Sequence, residues 1–241
     1  MSLDLLVFGP HPDDIEIGLG GSVALHVALG QTVGLCDLTR GELGTNGTAE
    51  ERVAEAEEAA SILGVKWRRN LGLPDGGVGD DASHVREIAA VIRGVRPRTI
   101  ALPYWEDRHP DHVAASRLIA TAAFRAGLSR YKAAGGAWKA DWLVHYFIND
   151  STAPSFVVDV SAHYESKRRA LDCYRSQFNP SGPGAAPTRL TSPRFRQLIE
   201  SRDAHFGALA GVTFAEGLVV REPLVRASLR LWTTHGDIER P

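Results

Sequence analysis

The chain has 241 residues, 44% hydrophobic and 23% charged, the balance of an ordinary globular protein. Its 27 basic and 29 acidic residues leave a formal net charge of −2, which excludes a broad electrostatic footprint for nucleic acid or an anionic membrane surface. Two cysteines, Cys36 and Cys173, exclude a disulfide scaffold or a four-cysteine zinc module and suit a reducing compartment. With no leader pattern and no run near 18 apolar residues, a soluble cytoplasmic protein is expected.

In chain order, Leu3 to Phe8 is an apolar run halted by Gly9-Pro10 and reads as a buried strand. Ile15 to Leu29 reads as an apolar helix closed by Gly30. A strand over Gln31 to Leu38 is followed by a Gly-rich loop and by Thr48-Ala-Glu-Glu51, the capping-box form that opens a helix to Leu63. Trp67 to Leu73 is a weaker strand, and His84 to Val95 an amphipathic helix ended by Pro97. Thr99 to Tyr104 is strand-like and His112 to Ala126 helical. Further on, Trp142 to Ile148 and Ser155 to Val160 read as strands and Tyr164 to Phe178 as one helix. Asn179 to Pro193 is a long Pro/Gly/Ser/Thr loop, followed by a helix over Arg194 to Ala210 and a strand over Glu216 to Val220. Alternating β-α units predict a Rossmann-like, mostly parallel sheet with helices on both faces. No repeat or linker divides 1–241, so one domain is expected.

Open α/β sheets bind ligands at the carboxyl ends of their strands, and two such ends are chemically loaded. His11-Pro12-Asp13-Asp14-Ile15-Glu16 follows the first strand, and Asp107-Arg108-His109-Pro110-Asp111-His112 follows the Thr99 strand. The two strands are expected to lie side by side. Imidazole with carboxylate is the donor set of a catalytic zinc site, although Asp14 and Asp111 read alone also suit helix N-caps.

These two motifs resemble the signature pair of the LmbE-like (PIG-L) zinc-dependent N-acetylglucosaminyl deacetylases. The resemblance extends through CDLTRGELGTNGT at 36–48, Arg52, LGLPDGG at 71–77, PYWEDRHPDH at 103–112, YRSQF at 174–178 and AEG at 215–217. It is most similar to the bacillithiol-pathway branch, which acts on N-acetyl-glucosaminyl-malate. The resemblance implies the LmbE-like fold and a small-molecule N-acetylglucosaminide as substrate. It further implies Zn2+, or another divalent ion such as Fe2+, held by His11, Asp14 and His112. Asp13 would be the general base and His109 the group facing the acetyl carbonyl, protonated and oriented by Asp111. A homo-oligomer, a hexamer by family analogy, is also implied.

Arg52 is either a substrate contact or a solvated helix arginine paired with Glu55, and Asp75 either turn chemistry or a sugar contact. Arg108 and Lys139 are candidate carboxylate binders, and Tyr104 and Gln177 candidate pocket residues. Glu16 is expected to support the site from behind. His26 reads as packed core, and His84, His145, His163, His205 and His235 lie outside the motifs. The glycines at 18, 20 and 21 lack the spacing of a dinucleotide fingerprint, which excludes a nucleotide-dependent oxidoreductase. A metal or sugar-binding protein without catalysis is the alternative of a different class, but it would be expected to lack Asp13 or His109. Free N-acetylglucosamine, a chitooligosaccharide or a mycothiol-type inositol glycoside are the alternative substrates.

Overall fold

A computed structural model of the chain describes residues 2–79 and 81–224; His235 lies outside the described residues. The strands are β1 (Leu5–Gly9), β2 (Val33–Thr39), β3 (Trp67–Leu73), β4 (Thr99–Pro103), β5 (Trp142–Tyr146), β6 (Phe156–Asp159) and β7 (Ala215–Val219). They form one sheet in the order β3-β2-β1-β4-β5-β7-β6. The first five are parallel, while β7 runs antiparallel to both β5 and β6. The helices are α1 (Asp14–Ala28), α2 (Ala49–Ile62), α3 (Ala82–Val95), α4 (Pro110–Ala126), α5 (Tyr164–Cys173), α6 (Arg175–Phe178) and α7 (Pro193–Ala210). No helix among the described residues is long and apolar enough to cross a membrane.

Strand alternation assigns each side chain to a face. Leu5, Val7, Val33, Leu35 and Ala101 enter the core beneath α1, α2 and α5. Leu6, Phe8, Cys36, Leu38, Ile100 and Leu102 enter the core beneath α3 and α4. Central strands buried on both faces have no polar side to show, which is why they read as unbroken apolar runs. Both cysteines are buried and unpaired, as expected.

From β1 the chain winds outward through β2 and β3, then returns to place β4 on the other flank of β1. That reversal makes the gap beyond β1 and β4 a topological switch point, where open sheets leave a crevice for ligand. The two loaded turns are adjacent there, as anticipated.

Two elements depart from expectation. The helix expected over Tyr164 to Phe178 breaks at Tyr174, which leaves helical geometry at ψ 61°. The cause is Glu55, whose carboxylate accepts from the Ser176 amide at 2.7 Å and hydroxyl at 2.6 Å and so restarts the chain as α6. Helix α1 also breaks, at Leu19 (φ −134°). Gly18, Gly20 and Gly21 face Tyr146, Lys167 and Val160 so closely that a Cβ at any of them would collide. They are packing glycines, consistent with discounting a nucleotide turn.

His145 on β5 is buried, and neither ring nitrogen has a hydrogen-bond partner among the described residues. Burial, helped by the Arg221 charge, pushes its pKa down from 6.5 to about 4. An unfolded His145 therefore takes up a proton below pH 6.5 that the folded chain refuses until about pH 4. Its contribution to stability is complete above pH 6.5, is lost as pH falls toward 4, and amounts to about 3 kcal/mol. In urea unfolding, His145→Leu is expected to reduce the stability lost between about pH 7.5 and 4.5 by about 2–3 kcal/mol. An unchanged loss would assign the acid sensitivity to other groups.

Candidate metal centre and active site

The turn after β1 is built to hold a difficult conformation. Asp13 has φ 108°, a left-handed geometry that costs a non-glycine residue about 1–3 kcal/mol. It is held by its surroundings. The Pro10 carbonyl accepts from the Thr39 amide at 3.0 Å and hydroxyl at 3.1 Å. The Pro12 carbonyl accepts from Arg52 Nη2 at 2.6 Å.

Beyond this turn, Asp14 Oδ2 lies 3.0 Å from His11 Nδ1 and 3.3 Å from His112 Nε2. All three residues are buried, and their donor atoms lie within 4.8 Å of one another. Neither Asp14 nor Asp111 serves as a helix N-cap. The Asp14 carboxylate accepts from the His11 amide, and at α4 it is His109 Nδ1 that accepts from the Asp111 amide at 3.2 Å.

The electrostatics of the trio favour positive charge beside Asp14. Burial works against a charged His11, but the Asp111, Asp14 and Asp75 carboxylates outweigh it and raise its pKa well above 6.5. Burial likewise opposes a charged His112, yet Asp14 and Asp107 lift its pKa to about 9. Burial would raise Asp14, and the two imidazoles override that and hold it far below the usual carboxylate range. Two imidazoles and a carboxylate thus gather positive charge at one point, and a divalent ion with neutral histidines meets the same demand.

Around this trio stand further carboxylates. Asp107 Oδ1 lies 3.1 Å from His112 Nδ1 and accepts from Asn149 Nδ2 at 3.0 Å, the backing that fixes a ligand imidazole. Asp111 Oδ2 lies 3.3 Å from His11 Nε2 and accepts from the Gly76 amide. The carboxylate expected to orient His109 is therefore turned toward His11, and Asp111 holds His109 through its backbone amide. His109 has its pKa lowered by burial and by the nearby His112 and His11 charges. With Nδ1 accepting from the Asp111 amide, a neutral His109 ring carries its proton on Nε2.

Asp13 stands apart from the trio. Burial raises its pKa to about 7, with Arg52 opposing and Asp14 assisting. Arg52 Nη2 approaches Asp13 Oδ2 at 3.4 Å. A buried carboxylate balanced near neutrality is the property of a general base.

The structure brings His11, Asp13, Asp14, Arg52, Asp75, Arg108, His109, Asp111, His112 and Gln177 to one cavity of about 570 Å³. Arg52 is buried and bonded to the turn, not solvated and paired with Glu55, which is engaged by Ser176. Asp75 does more than make a turn, because its Oδ1 lies 3.0 Å from His11 Nε2. Glu16 sits behind the site, bound to Arg68 Nη1 at 2.6 Å. Two expectations fail. Tyr104 packs tilted against Trp105 and edge-on to Phe147, and does not line the cavity. Lys139 is exposed and packs near Gly127 at the far end of α4, about 25 Å along that helix from the site. The parts played by Asp107 and Asn149 were missed. Asp107, at five residues before His112, was the one with a readable spacing.

A mostly parallel sheet with a buried histidine–aspartate cluster at its switch point offers the donor set of a divalent-ion site. The chain belongs to the PIG-L/LmbE-like deacetylase family: residues 6–123 match the family model described as GlcNAc-PI de-N-acetylase. It is 31% identical to the diacetylchitobiose deacetylase of Thermococcus kodakarensis over 89% of this chain and 81% of that one. It is also 31% identical to a 1D-myo-inositol 2-acetamido-2-deoxy-alpha-D-glucopyranoside deacetylase of Rhodococcus opacus, over 74% and 83% of the two chains. The crystal structure of a conserved protein from Thermus thermophilus superposes with TM-score 0.86 and 40% identity, covering 95% of this chain and 100% of that one.

Gly41 carries a specific prediction. Its φ is +67°, and a Cβ there would collide with Arg52 Nη1. Gly41→Ala is expected to displace the guanidinium from Pro12 and Asp13, with about 2–4 kcal/mol lost in urea unfolding from combined strain and overpacking. A loss below about 1 kcal/mol would mean that the loop yields without disturbing Arg52.

Proposed function

We propose that this chain hydrolyses the N-acetyl group of an N-acetylglucosaminide, with a divalent ion, zinc in the first instance, held by His11, Asp14 and His112. The observation that carries the reading is the buried trio of donors with Asp13 beside it in the same cavity. When bound, the ion supplies a Lewis acid that activates water and polarises the acetyl carbonyl. The remaining work belongs to the chain. Asp13, ionised and set close to the attacking water, accepts its proton as the carbon–oxygen bond forms. His109 offers Nε2–H to the carbonyl oxygen as charge develops on it, a contribution of about 3 kcal/mol for such a donor. Asp13 then returns its proton to the amine nitrogen as the carbon–nitrogen bond breaks, which releases acetate and leaves Asp13 ionised again. Asp107 keeps His112 in one orientation, and Asp111 and Asp75 do so for His11.

The substrate we propose is the malate glycoside of the branch that the motifs resemble. The two deacetylases named above are named for different acetylated sugars, a diacetylchitobiose and an inositol-linked 2-acetamido-2-deoxy-glucopyranoside, so the group joined to the acetamido sugar is the variable part.

Acetate release from a panel of N-acetylglucosaminides, with and without chelator, tests the reaction. Chelation is expected to abolish release, and His11→Ala, Asp14→Ala and His112→Ala to lose bound metal by elemental analysis. Full metal content in all three variants would overturn the ligand assignment. Asp13→Ala is expected to keep its metal and lose activity by about 10² to 10⁴-fold; a near-normal kcat at saturating zinc would remove Asp13 as the base. The malate glycoside is expected to exceed free N-acetylglucosamine in kcat/KM by at least about tenfold. Equal values would leave the deacetylase reading and remove the malate one.

A further inference from the structure

Outside the metal cavity, a second cavity of about 470 Å³ opens at the start of α7. It is lined by Arg108, Arg189, Ser192, Arg194, Phe195 and Leu198. Arg108, Arg189 and Phe195 line both cavities, so the two form one cleft. Its inner end holds the carboxylates of Asp13, Asp14, Asp75 and Asp111. Its outer end has three guanidinium groups and no carboxylate in its wall. The cleft is electrically polar along its length.

Arg52, Arg68 and Arg202, which also stand close to the site or behind it, each meet a carboxylate. Arg108, Arg189 and Arg194 are exposed and, like several other surface arginines among the described residues, have no ion pair; what sets them apart is that they share one cavity wall. Arg189 lies over the Phe195 ring, 5.3 Å from its centroid, a contact that orders the guanidinium and leaves its charge uncompensated. Arg194 stands in the first turn of α7, where its amide donates to Ser192 Oγ and the helix end adds partial positive charge. Like charges are drawn into one concave wall at an electrostatic cost, and an anion seated among them reverses it. Guanidinium forks take carboxylate or phosphate oxygens in pairs.

We propose that Arg189 and Arg194, with Arg108, form an anion subsite that selects N-acetylglucosaminides whose aglycone carries a carboxylate or phosphate. The inference rests on the deacetylase reading and specifies its substrate class. It moves aglycone recognition to the loop before α7, away from Arg52, which is committed to Asp13 and the turn, and from Lys139, which is at the far end of α4. With the acetamido group at the inner end, the anion at the outer end fixes which way round the substrate lies.

The test compares three glycosides of N-acetylglucosamine: the malate glycoside, the 1-phosphate and the neutral methyl glycoside. For the zinc-loaded enzyme, at least one anionic substrate is expected to exceed the methyl glycoside by about tenfold in kcat/KM. The malate and phosphate arms tell which anion fits. In R189Q/R194Q that preference is expected to fall about tenfold, through KM, while the methyl glycoside changes less than about twofold. Raising salt from about 0.05 to 0.5 M is expected to erode the preference in the wild type and to do little in the double variant. Equal loss on charged and neutral substrates would assign these arginines to loop structure, and no loss on either would remove the subsite.

Calorimetric binding of the anionic glycosides to zinc-loaded Asp13→Asn reads the subsite without turnover. There R189Q/R194Q is expected to weaken Kd about tenfold, and an unchanged Kd overturns the inference. Failure of every glycoside to release acetate would count against the deacetylase reading, with this binding difference still deciding the subsite.

Discussion

The Asp14 carboxylate lodged between two imidazoles at the ends of β1 and β4 is the constraint from which the site's arrangement follows. A buried charge is costly unless neutralised and hydrogen-bonded, and here the neutralisation is mutual. Asp14 meets His11 and His112, and those rings meet Asp75, Asp111 and Asp107 on their other nitrogens. Each carboxylate is in turn held by a backbone amide: Leu43 for Asp75, Gly76 for Asp111, and His109 and Asn149 for Asp107. These amides come from the loops following β2, β3, β4 and β5, and the His11 amide after β1 holds Asp14, so the switch point draws on every parallel strand.

A second buried charge system keeps α1 in place behind this one. Lys167 Nζ is fully buried at 2.7 Å from both Asp203 and Glu216. Where α1 breaks at Leu19, Glu216 accepts from the Gly21 and Ser22 amides, and Arg202 donates to the Ile17 carbonyl at 2.7 Å. The ladder bonds lost at the break are replaced by side chains from β7 and α7. Removing one partner from such a network costs about 3–5 kcal/mol, because the others are left buried and uncompensated. The AEG segment at 215–217 is therefore a structural clamp on the helix that presents Asp14, distant from the chemistry yet coupled to its placement.

Most of the fold was legible because its signals are local. Apolar runs ending in turn residues gave the central strands, and Thr48 with Glu51 gave the observed capping box of α2. Adjacency of β1 and β4 followed from the logic of parallel sheets. The residues of the candidate metal site were readable because they crowd into two short turns. What escaped depended on distant partners. The break at Tyr174 is imposed by Glu55, 121 residues from Ser176 in sequence. Asp75 looks like turn chemistry until β3 brings it against His11. Lys139 looked well placed in a linear sequence, but the length of α4 carries it to the other end of the sheet. Arg189 and Arg194 sit beside a loop of low information content, and only folding places them next to Arg108.

The pairing of Asp13 with Asp14 explains why the turn is strained. Neighbouring residues in an ordinary helical start would direct their carboxylates about 100° apart around the axis, both within reach of the same amide groups. The left-handed backbone at Asp13 departs from that arrangement. It leaves Asp14 between the imidazoles and sets Asp13 against Arg52, in separate electrostatic surroundings. One carboxylate is held fully ionised and the other is raised to about 7. Two identical side chains thereby acquire different proton affinities, which is the separation that acid–base chemistry at one centre requires. The backbone strain, the buried Arg52 and the glycine at 41 that makes room for it are parts of a single device for keeping the two aspartates different.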